Sequence, residues 1–378
     1  MEINASKNSK KIIIISAINI RSGGPLTILK NCLKELSESP HNKEYHIIAL
    51  VYSKNNCYFN NITYLEFPRA ENRIYSYFME YYGLKKLSKR INPTLWISLT
   101  DKTPNVITNK LVVYLHNPTP FFHLKLKDFI YSPFLLLYVL FYKKVCSINI
   151  HKNDYLIVQQ NWLRDAYSNL FSFSKKRCIV FPPVSRPKTL NDIYTNENLD
   201  KKTFIFASLP RGFKNFEIIC EANRILLNRG ITDHNIVLTL KGDESRYAKS
   251  IVRKYRVSNE NISFIGVVSP DKLNELYNLS DCLIFPSRLE TWGLPISEFS
   301  VYNKPMLIAD LPYAHNTAAG SKYVAFFNPH SATQLAAYME KIITNDFSFL
   351  KEVSIPKIEN PHSFSWEETI NLITNDKS

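Results

Sequence analysis

Short apolar runs alternate with helix-like stretches along the whole chain, and this alternation is the feature that most constrains its fold. In the first half, the strand-like runs are Ile12–Ile18, Tyr45–Val51, Ile62–Phe67, Leu95–Ser98, Leu111–Leu115, Tyr155–Val158 and Cys178–Phe181. Helix-like stretches lie between them, notably at Leu26–Ser37 and Ile74–Arg90. Strands that alternate with helices pair in parallel and have both faces of their sheet covered, so an α/β fold is predicted.

The alternation is interrupted once and then starts again. Phe181–Pro187 is rich in proline, and a polar stretch follows as far as Lys202, which is typical of a linker. A helix is then predicted at Phe216–Arg229. The strand-like runs of the second half are Thr203–Ala207, Ile236–Lys241, Ile262–Gly266, Cys282–Phe285, Met306–Ala309 and Val324–Phe327. The sequence therefore predicts two Rossmann-like domains with parallel sheets facing a central cleft, at residues 1–185 and 186–362.

The composition indicates the size of the core and the charge of the partner. The 378 residues are 45% hydrophobic and 21% charged, which fits two globular domains with ample cores. The formal net charge of +14 favours an anionic partner. Bulk charge alone does not distinguish a nucleotide, a nucleic acid and a membrane.

Two features favour a cytoplasmic location. The six cysteines, at positions 32, 57, 146, 178, 220 and 282, include no C-x-x-C pair, which indicates reduced core residues rather than a zinc site or a disulfide framework. The apolar run Ile12–Ile18 follows lysines but leads to Arg21-Ser-Gly-Gly24 instead of a small-residue cleavage site. We interpret it as a buried strand and not as a signal peptide.

One apolar and aromatic segment, at residues 129–142, has two interpretations. It is 14 residues long, whereas a helix needs about 20 residues to span a bilayer. It is bracketed by four lysines, at positions 125, 127, 143 and 144. The segment is equally well explained as a buried helix or as an element that dips into the lipid headgroups at the inner face of the cytoplasmic membrane, where lysines are attracted by anionic lipid.

The clearest functional motif places Glu290 and Glu298 eight residues apart around a Gly-Leu-Pro step. Pro295 suits the first turn of a helix, which predicts Glu290 in the preceding loop and Glu298 in the opening turn. The loop follows the strand-like run Cys282–Phe285, and open α/β sheets bind ligands at this edge. A helix start suits phosphate, and a carboxylate accepts from sugar hydroxyls, so a ligand with phosphate and polyol is predicted. The alternative is a helix cap with two solvated acids.

Three further sets of residues follow predicted strands. Gly23 and Gly24, in a turn after the first strand, leave backbone open to a ligand or simply form a tight turn. Arg211 and Lys214 place two cations where a helix begins, with Asn215 as its predicted cap. His116 ends another strand in a proline-rich loop, and such a histidine is either a structural hydrogen-bonding residue or a ligand contact at the cleft edge.

Pro286-Ser287, Glu290, Thr291, Gly293-Leu294-Pro295 and Glu298 together resemble the E-x7-E segment of retaining glycosyltransferases of the GT-B fold, glycosyltransferase family 4. The resemblance implies that Glu290 contacts the donor sugar and that Glu298 contacts the ribose of the nucleotide. It implies that Thr291, Trp292, Gly293 and Leu294 lie at the diphosphate.

The same resemblance assigns roles to the other candidates. Gly23 and Gly24 resemble the glycine loop that faces donor phosphate or acceptor, and His116 occupies the place of a histidine that contacts the donor sugar. Lys214 matches the lysine of the family's G-R-x-x-x-x-K motif, but Leu209 stands at the arginine position. Arg211 is therefore the weaker assignment. The segment 363–378 resembles the closing helix that crosses back to the first domain.

The predicted function is transfer of a sugar, with retention, from a nucleoside-diphosphate sugar to an acceptor hydroxyl. The donor is a substrate, and no cofactor, metal or nucleic-acid partner is predicted; the sequence has no D-x-D motif. The predicted acceptor is a growing surface polysaccharide or a lipid-linked saccharide. Two alternatives are a GT-B-like sugar-nucleotide epimerase, which needs no acceptor, and a nucleic-acid-binding protein, for which no familiar motif is present.

Overall fold

In the computed structural model, the described residues are 10–121, 141, 142, 144–183, 201–256 and 261–375. Within these ranges the chain folds as two compact units. Of the described residues, the first contains 10–120, 141, 142, 144–183 and 358–375, and the second contains 121, 201–256 and 261–357. Residues 184–200 of the predicted linker and all but the last two residues of the 129–142 segment lie outside the description. Lys202, the predicted end of the linker, is already the first residue of a strand. None of the described helices is long and apolar enough to cross a bilayer.

The first unit is built on a seven-stranded, fully parallel sheet with the order β3-β2-β1-β4-β5-β6-β7. Its strands are β1 Lys11–Ala17, β2 Tyr45–Val51, β3 Thr63–Glu66, β4 Leu95–Ser98, β5 Lys110–Leu115, β6 Tyr155–Val158 and β7 Cys178–Val180. All seven were predicted. The strand order reverses between β1 and β4, which opens a crevice at the carboxyl edge of the sheet.

Helices cover both faces of this sheet. They are α1 Gly23–Glu38, α2 His41–Glu44, α3 Arg73–Phe78, α4 Leu84–Ile91 and α5 Asn161–Phe171. Alternate residues of β1 point to opposite faces, so Ile13 and Ile15 pack with α1 while Ile14 packs with α4. The predicted single helix over Ile74–Arg90 is interrupted by a π-helical turn at Met79–Gly83.

The second unit repeats the architecture with six parallel strands in the order β10-β9-β8-β11-β12-β13. The strands are β8 Lys202–Phe206, β9 His234–Leu238, β10 Ile262–Phe264, β11 Cys282–Phe285, β12 Met306–Ala309 and β13 Val324–Phe327. The helices are α6 Phe216–Asn228, α7 Arg246–Tyr255, α8 Pro270–Leu279, α9 Leu294–Ser300, α10 Pro312–Thr317 and α11 Ala332–Ile343. The predicted fold class, α/β with two parallel sheets, is confirmed. The six cysteines are buried and unpaired, as predicted.

Strand β9 ends at Leu238, three residues before the predicted end at Lys241. The Thr239 hydroxyl accepts from the Ser208 N–H at 2.8 Å and donates to the Ser208 carbonyl at 3.1 Å. The Lys241 N–H donates to the Glu244 carboxylate at 2.7 Å. Side chains thus supply hydrogen bonds in place of the strand ladder at the point where the strand ends.

The final helix, α12 Trp366–Asn375, belongs to the first unit. Trp366, Ile370 and Ile373 are almost fully buried in the same core cluster as α1. The Trp366 ring packs edge-on against Phe181, with the centroids 4.9 Å apart. The buried Arg164 guanidinium donates to the Glu359 carbonyl and carboxylate, both at 2.9 Å, and so fixes the segment that leads into α12.

Replacing Trp366 with Ala should destabilise the first unit by about 3–5 kcal/mol, because a large buried ring is lost and a cavity remains. Urea unfolding of the full chain measures this change. Phe364→Ala is the matched control, since Phe364 is 56% exposed two residues away. Equal stabilities for the two variants would contradict the packing of α12 in this core.

Candidate active site

The two loops that carry the predicted site meet at the carboxyl edge of the second sheet. Strands β8 and β11 are neighbours, and the strand order reverses between them, which is the place where open α/β sheets bind ligands. The Arg288 N–H donates to the Phe213 carbonyl at 2.7 Å, and the Arg288 guanidinium donates to the Gly212 carbonyl at 3.2 Å. The loop after β8 and the loop after β11 are therefore fastened to each other.

Lys214 and Glu290 form an ion pair across these two loops. The Lys214 ammonium donates directly to the Glu290 carboxylate, and the side chains are only 15% and 14% exposed. The ammonium also lies 5.5 Å from the centroid of the Phe213 ring and 6.0 Å from that of Phe285. The pair joins the two residues that the sequence assigned to the diphosphate and to the donor sugar.

Asn215 does not cap the following helix with its side chain, so that prediction was wrong. Its backbone is left-handed, with φ of 62°, and its side-chain amide donates to the Pro286 carbonyl at 3.2 Å and the Pro329 carbonyl at 2.9 Å. The amide thus ties the loop after β8 to the loop after β11. Arg211 is exposed at the start of the short 3₁₀ turn Gly212–Lys214 and lies outside the Lys214–Glu290 pair.

Backbone geometry at Gly293 sets the path of the loop into α9. Gly293 has φ of +88°, and a Cβ there would lie 3.3 Å from both Ile296 Cδ1 and Phe285 Cε1. The Trp292 indole N–H donates to the Ser297 hydroxyl at 2.8 Å, and the Thr317 hydroxyl donates to the Trp292 carbonyl. The loop directly after Glu290 is therefore fastened to α9 and α10.

Glu298 lies one residue beyond the predicted opening turn, as the fifth residue of α9. Its carboxylate accepts from the Tyr277 hydroxyl at 3.3 Å. Glu298 is exposed as a whole residue, but protein atoms crowd its carboxyl group, and this desolvation raises its pKa; the Tyr277 hydrogen bond acts in the opposite direction. The two acids of the motif thus have separate partners and separate environments.

In the first unit, His116 is held by an acid that the sequence analysis missed. The His116 side chain contacts the Asp101 carboxylate, with Nε2 and Oδ2 3.0 Å apart. The same carboxylate accepts from the N–H groups of His116 at 2.6 Å and Asn117 at 3.1 Å. Burial raises the pKa of Asp101, and the neighbouring His116 opposes that rise. Asp101 follows β4 and His116 follows β5, so both lie at the same edge of the sheet. This shared position could have identified Asp101 from the sequence.

Gly23 and Gly24 are the first two residues of α1 and not a separate turn before it. Gly23 has φ of +71°, and a Cβ there would meet only the Pro25 ring, 3.9 Å away. The backbone at this helix start is therefore uncrowded. In the described ranges, no cluster of three or more His, Cys, Asp or Glu side chains could hold a metal ion. The roles assigned to these residues from the sequence stay predictions.

Comparison with known proteins defines the class of this fold. The lipopolysaccharide outer core galactosyltransferase WaaB aligns with 97% of this chain and 100% of its own, with a TM-score of 0.63 and 12% identity. Alr3699/HepE from Anabaena, in complex with UDP-glucose, aligns with 90% of this chain and 92% of its own, with a TM-score of 0.59 and 13% identity. The chain has the GT-B fold.

Sequence comparison is more specific for the second unit. Residues 189–355 match the model of the family "Glycosyl transferases group 1". The serotype-specific mannosyltransferase WbdA of Escherichia coli is 27% identical over 189 residues, which are 50% of this chain and 22% of WbdA. The chain thus spans about a fifth of the length of that relative.

Gly293→Ala should destabilise the second unit more than Gly230→Ala does. Both glycines have positive φ, so each substitution costs roughly 1–2 kcal/mol of backbone strain. Gly230 has no neighbour within 4 Å of the added Cβ, whereas Gly293 also meets two side chains at 3.3 Å. Chemical denaturation of both variants isolates the packing contribution, and equal losses would show that the loop absorbs the methyl group.

Proposed function

We propose that this protein transfers a sugar from a nucleoside-diphosphate sugar to an acceptor hydroxyl. The observation that carries the proposal is the Lys214–Glu290 ion pair at the strand-order reversal of the second sheet. The cation suits the diphosphate of such a donor, and the carboxylate suits the hydroxyl groups of its sugar. The match of residues 189–355 to glycosyl transferases group 1 supports the same chemistry.

Lys214 is assigned to the diphosphate. Its ammonium pairs with the Glu290 carboxylate, and the pair is largely shielded from water. A diphosphate that enters competes for the ammonium and leaves the carboxylate of Glu290 to accept from sugar hydroxyls. When the glycosidic bond breaks, negative charge grows on the leaving diphosphate, and a fixed cation at low dielectric stabilises that charge. Arg211 and the amide groups of Thr291 to Leu294 are assigned to the same phosphates.

Glu298 is assigned to the ribose, and His116 to the donor sugar. The Tyr277 hydroxyl orients the Glu298 carboxylate. The Asp101 carboxylate contacts the His116 ring and also accepts from the His116 backbone N–H, so it fixes the position of the imidazole. Gly23 and Gly24 leave an uncrowded helix start for donor phosphate or acceptor. We infer that transfer proceeds with retention and without a metal, with the leaving phosphate accepting the proton of the attacking hydroxyl on the same sugar face.

The acceptor class is inferred from the relatives. WbdA is named a serotype-specific mannosyltransferase, and the similar RfbU of Salmonella typhimurium is named an O-antigen chain mannosyltransferase. We infer that the acceptor of this protein is likewise a growing surface polysaccharide or a lipid-linked saccharide in the cytoplasm. Hexose is the sugar class that these names favour.

A panel of UDP-, GDP-, ADP- and dTDP-sugars tests the proposal, first by thermal shift of the full chain and then by transfer to oligosaccharide acceptors. Donor binding at 100 times its dissociation constant stabilises a protein by about 2.7 kcal/mol, which is readily detected. Release of nucleoside diphosphate that depends on the acceptor supports transfer. Conversion of a donor to its epimer without any acceptor would overturn it, as would the absence of binding and turnover across the panel.

Glu290→Gln and Lys214→Met should each lower kcat by about 10²–10³-fold, because each removes charge that acts on the transition state. Both variants should remain folded by circular dichroism. The double variant Lys272→Met, Glu275→Gln is the matched control, since it breaks an exposed ion pair of the same unit at 2.6 Å. Its kcat should equal that of the wild type. Near-normal turnover of Glu290→Gln would contradict the site.

Nucleotide affinity should fall at acidic pH as Glu298 takes up a proton. A ribose hydroxyl donates to the ionised carboxylate, and the pKa of Glu298 is raised above its ordinary value of 4.5, so the loss begins at a higher pH than for a solvated glutamate. Titration calorimetry against pH measures it. The Glu298→Gln variant should bind nucleotide more weakly, and its affinity should no longer fall at acidic pH. If the affinity of this variant depended on pH as the wild type does, Glu298 would not be the residue that contacts the ribose.

A further inference from the structure

The helical segment 73–91 of the first unit exposes large apolar side chains at successive turns. Ile74, Phe78 and Tyr82 are 82%, 56% and 68% exposed. The rings of Phe78 and Tyr82 stack, with their centroids 5.7 Å apart. Residues four apart lie on the same side of a helix, so these three side chains form a single stripe. Exposed apolar surface of this kind marks an interaction site more often than an isolated apolar residue does.

Basic residues border and continue this stripe. Five of them are exposed on the same segment: Arg73, Lys85, Lys86, Lys89 and Arg90. No acidic side chain in the described part of the chain forms an ion pair with any of the five; Glu71 pairs with Arg21, and Glu80 is buried. We call the three apolar side chains and the five cations the aromatic-basic face.

The orientation of the segment is fixed from its other side. Leu84 is fully buried against β1 and β4, and Leu87 packs on the same cluster. Glu80, in the π-helical turn, is also fully buried; its carboxylate accepts from the Thr100 hydroxyl at 2.9 Å and lies 4.0 Å from the Lys102 ammonium. Turning the segment to bury Ile74 and Phe78 would break these contacts, so the aromatic-basic face stays directed outward.

We propose that the aromatic-basic face docks on the surface of an anionic lipid bilayer. Aromatic and aliphatic side chains enter the boundary between headgroups and acyl chains, and lysines beside them face the anionic headgroups. A nucleic acid would match the five cations but not an exposed Ile74 and Phe78. A protein partner would need acids placed around an apolar centre, whereas a bilayer offers both chemistries over any area. The proposal uses only the first unit and is independent of the proposed sugar transfer.

Sedimentation of the full chain with vesicles tests the proposal. Vesicles of phosphatidylcholine mixed with phosphatidylglycerol should bind the protein, and binding should weaken as salt is added. Each lysine near an anionic surface strengthens partitioning by about fivefold, so the variant Lys85→Glu, Lys86→Glu, Lys89→Glu should lose binding by more than a hundredfold. The variant Ile74→Ser, Phe78→Ser, Tyr82→Ser should also lose binding while its net charge is unchanged.

The chain offers matched controls for both variants. Lys30, Lys34 and Lys43 are exposed on or beside α1, which covers the opposite face of the sheet, and their change to Glu alters the net charge equally. Tyr58, Ile355 and Phe364 are 61%, 57% and 56% exposed and control for loss of apolar surface. Both control variants should bind vesicles as the wild type does.

Three outcomes would overturn the proposal. They are equal binding to vesicles with and without phosphatidylglycerol, equal losses in the test and control variants, and wild-type self-association that the apolar variant abolishes without any lipid binding. The last outcome would assign the face to a second copy of the chain. Donor binding is measured in the same variants without lipid. Lipid binding and donor binding can then fail independently, so the docking proposal and the proposed function are tested separately.

Discussion

The contact between Lys214 and Glu290 is the interaction on which the candidate site depends. It joins loops that lie 76 residues apart in the chain, and the Arg288 and Asn215 hydrogen bonds hold the same two loops in register. The loops meet because β8 and β11 are adjacent strands whose connections leave in opposite directions. An ion pair shielded from water is costly unless it is well supported, and the surrounding backbone contacts supply that support.

Each of the two sheets has a pair of interacting polar side chains at its carboxyl edge, but the residue types differ. In each, the strand order reverses next to its first strand, and a pair of opposite or complementary polar groups stands at the carboxyl edge. The second unit places a lysine against a glutamate there, whereas the first places His116 against Asp101. A cation with an acid suits a charged ligand, and an imidazole oriented by a buried acid suits a neutral, hydroxyl-rich one.

Much of this arrangement could be predicted from the sequence, because strands buried on both faces leave apolar runs that are easy to locate. The strands in the described part of the chain were predicted from such runs, and the Glu290 motif was found from its residue spacing and its resemblance to a family. Features that depend on distant residues could not be predicted in this way. Asp101 meets His116 only because β4 and β5 pair, and Asn215 bonds to Pro286 and Pro329 instead of capping its helix. The π-helical turn contains Glu80, which is buried beside Lys102, and the helical periodicity of the sequence shows neither feature.

The placement of α12 has a consequence for biosynthesis. The first unit is formed mainly by residues up to 183. Its core also contains Trp366, Ile370 and Ile373, which follow the second unit in the sequence. Domains generally fold during translation as soon as their residues have emerged from the ribosome. Here the first core is complete only after the second unit has been synthesised. Until then, the surface of Tyr114 and Phe181 that Trp366 later covers is open. The nascent chain therefore exposes this apolar surface until Trp366 has been synthesised.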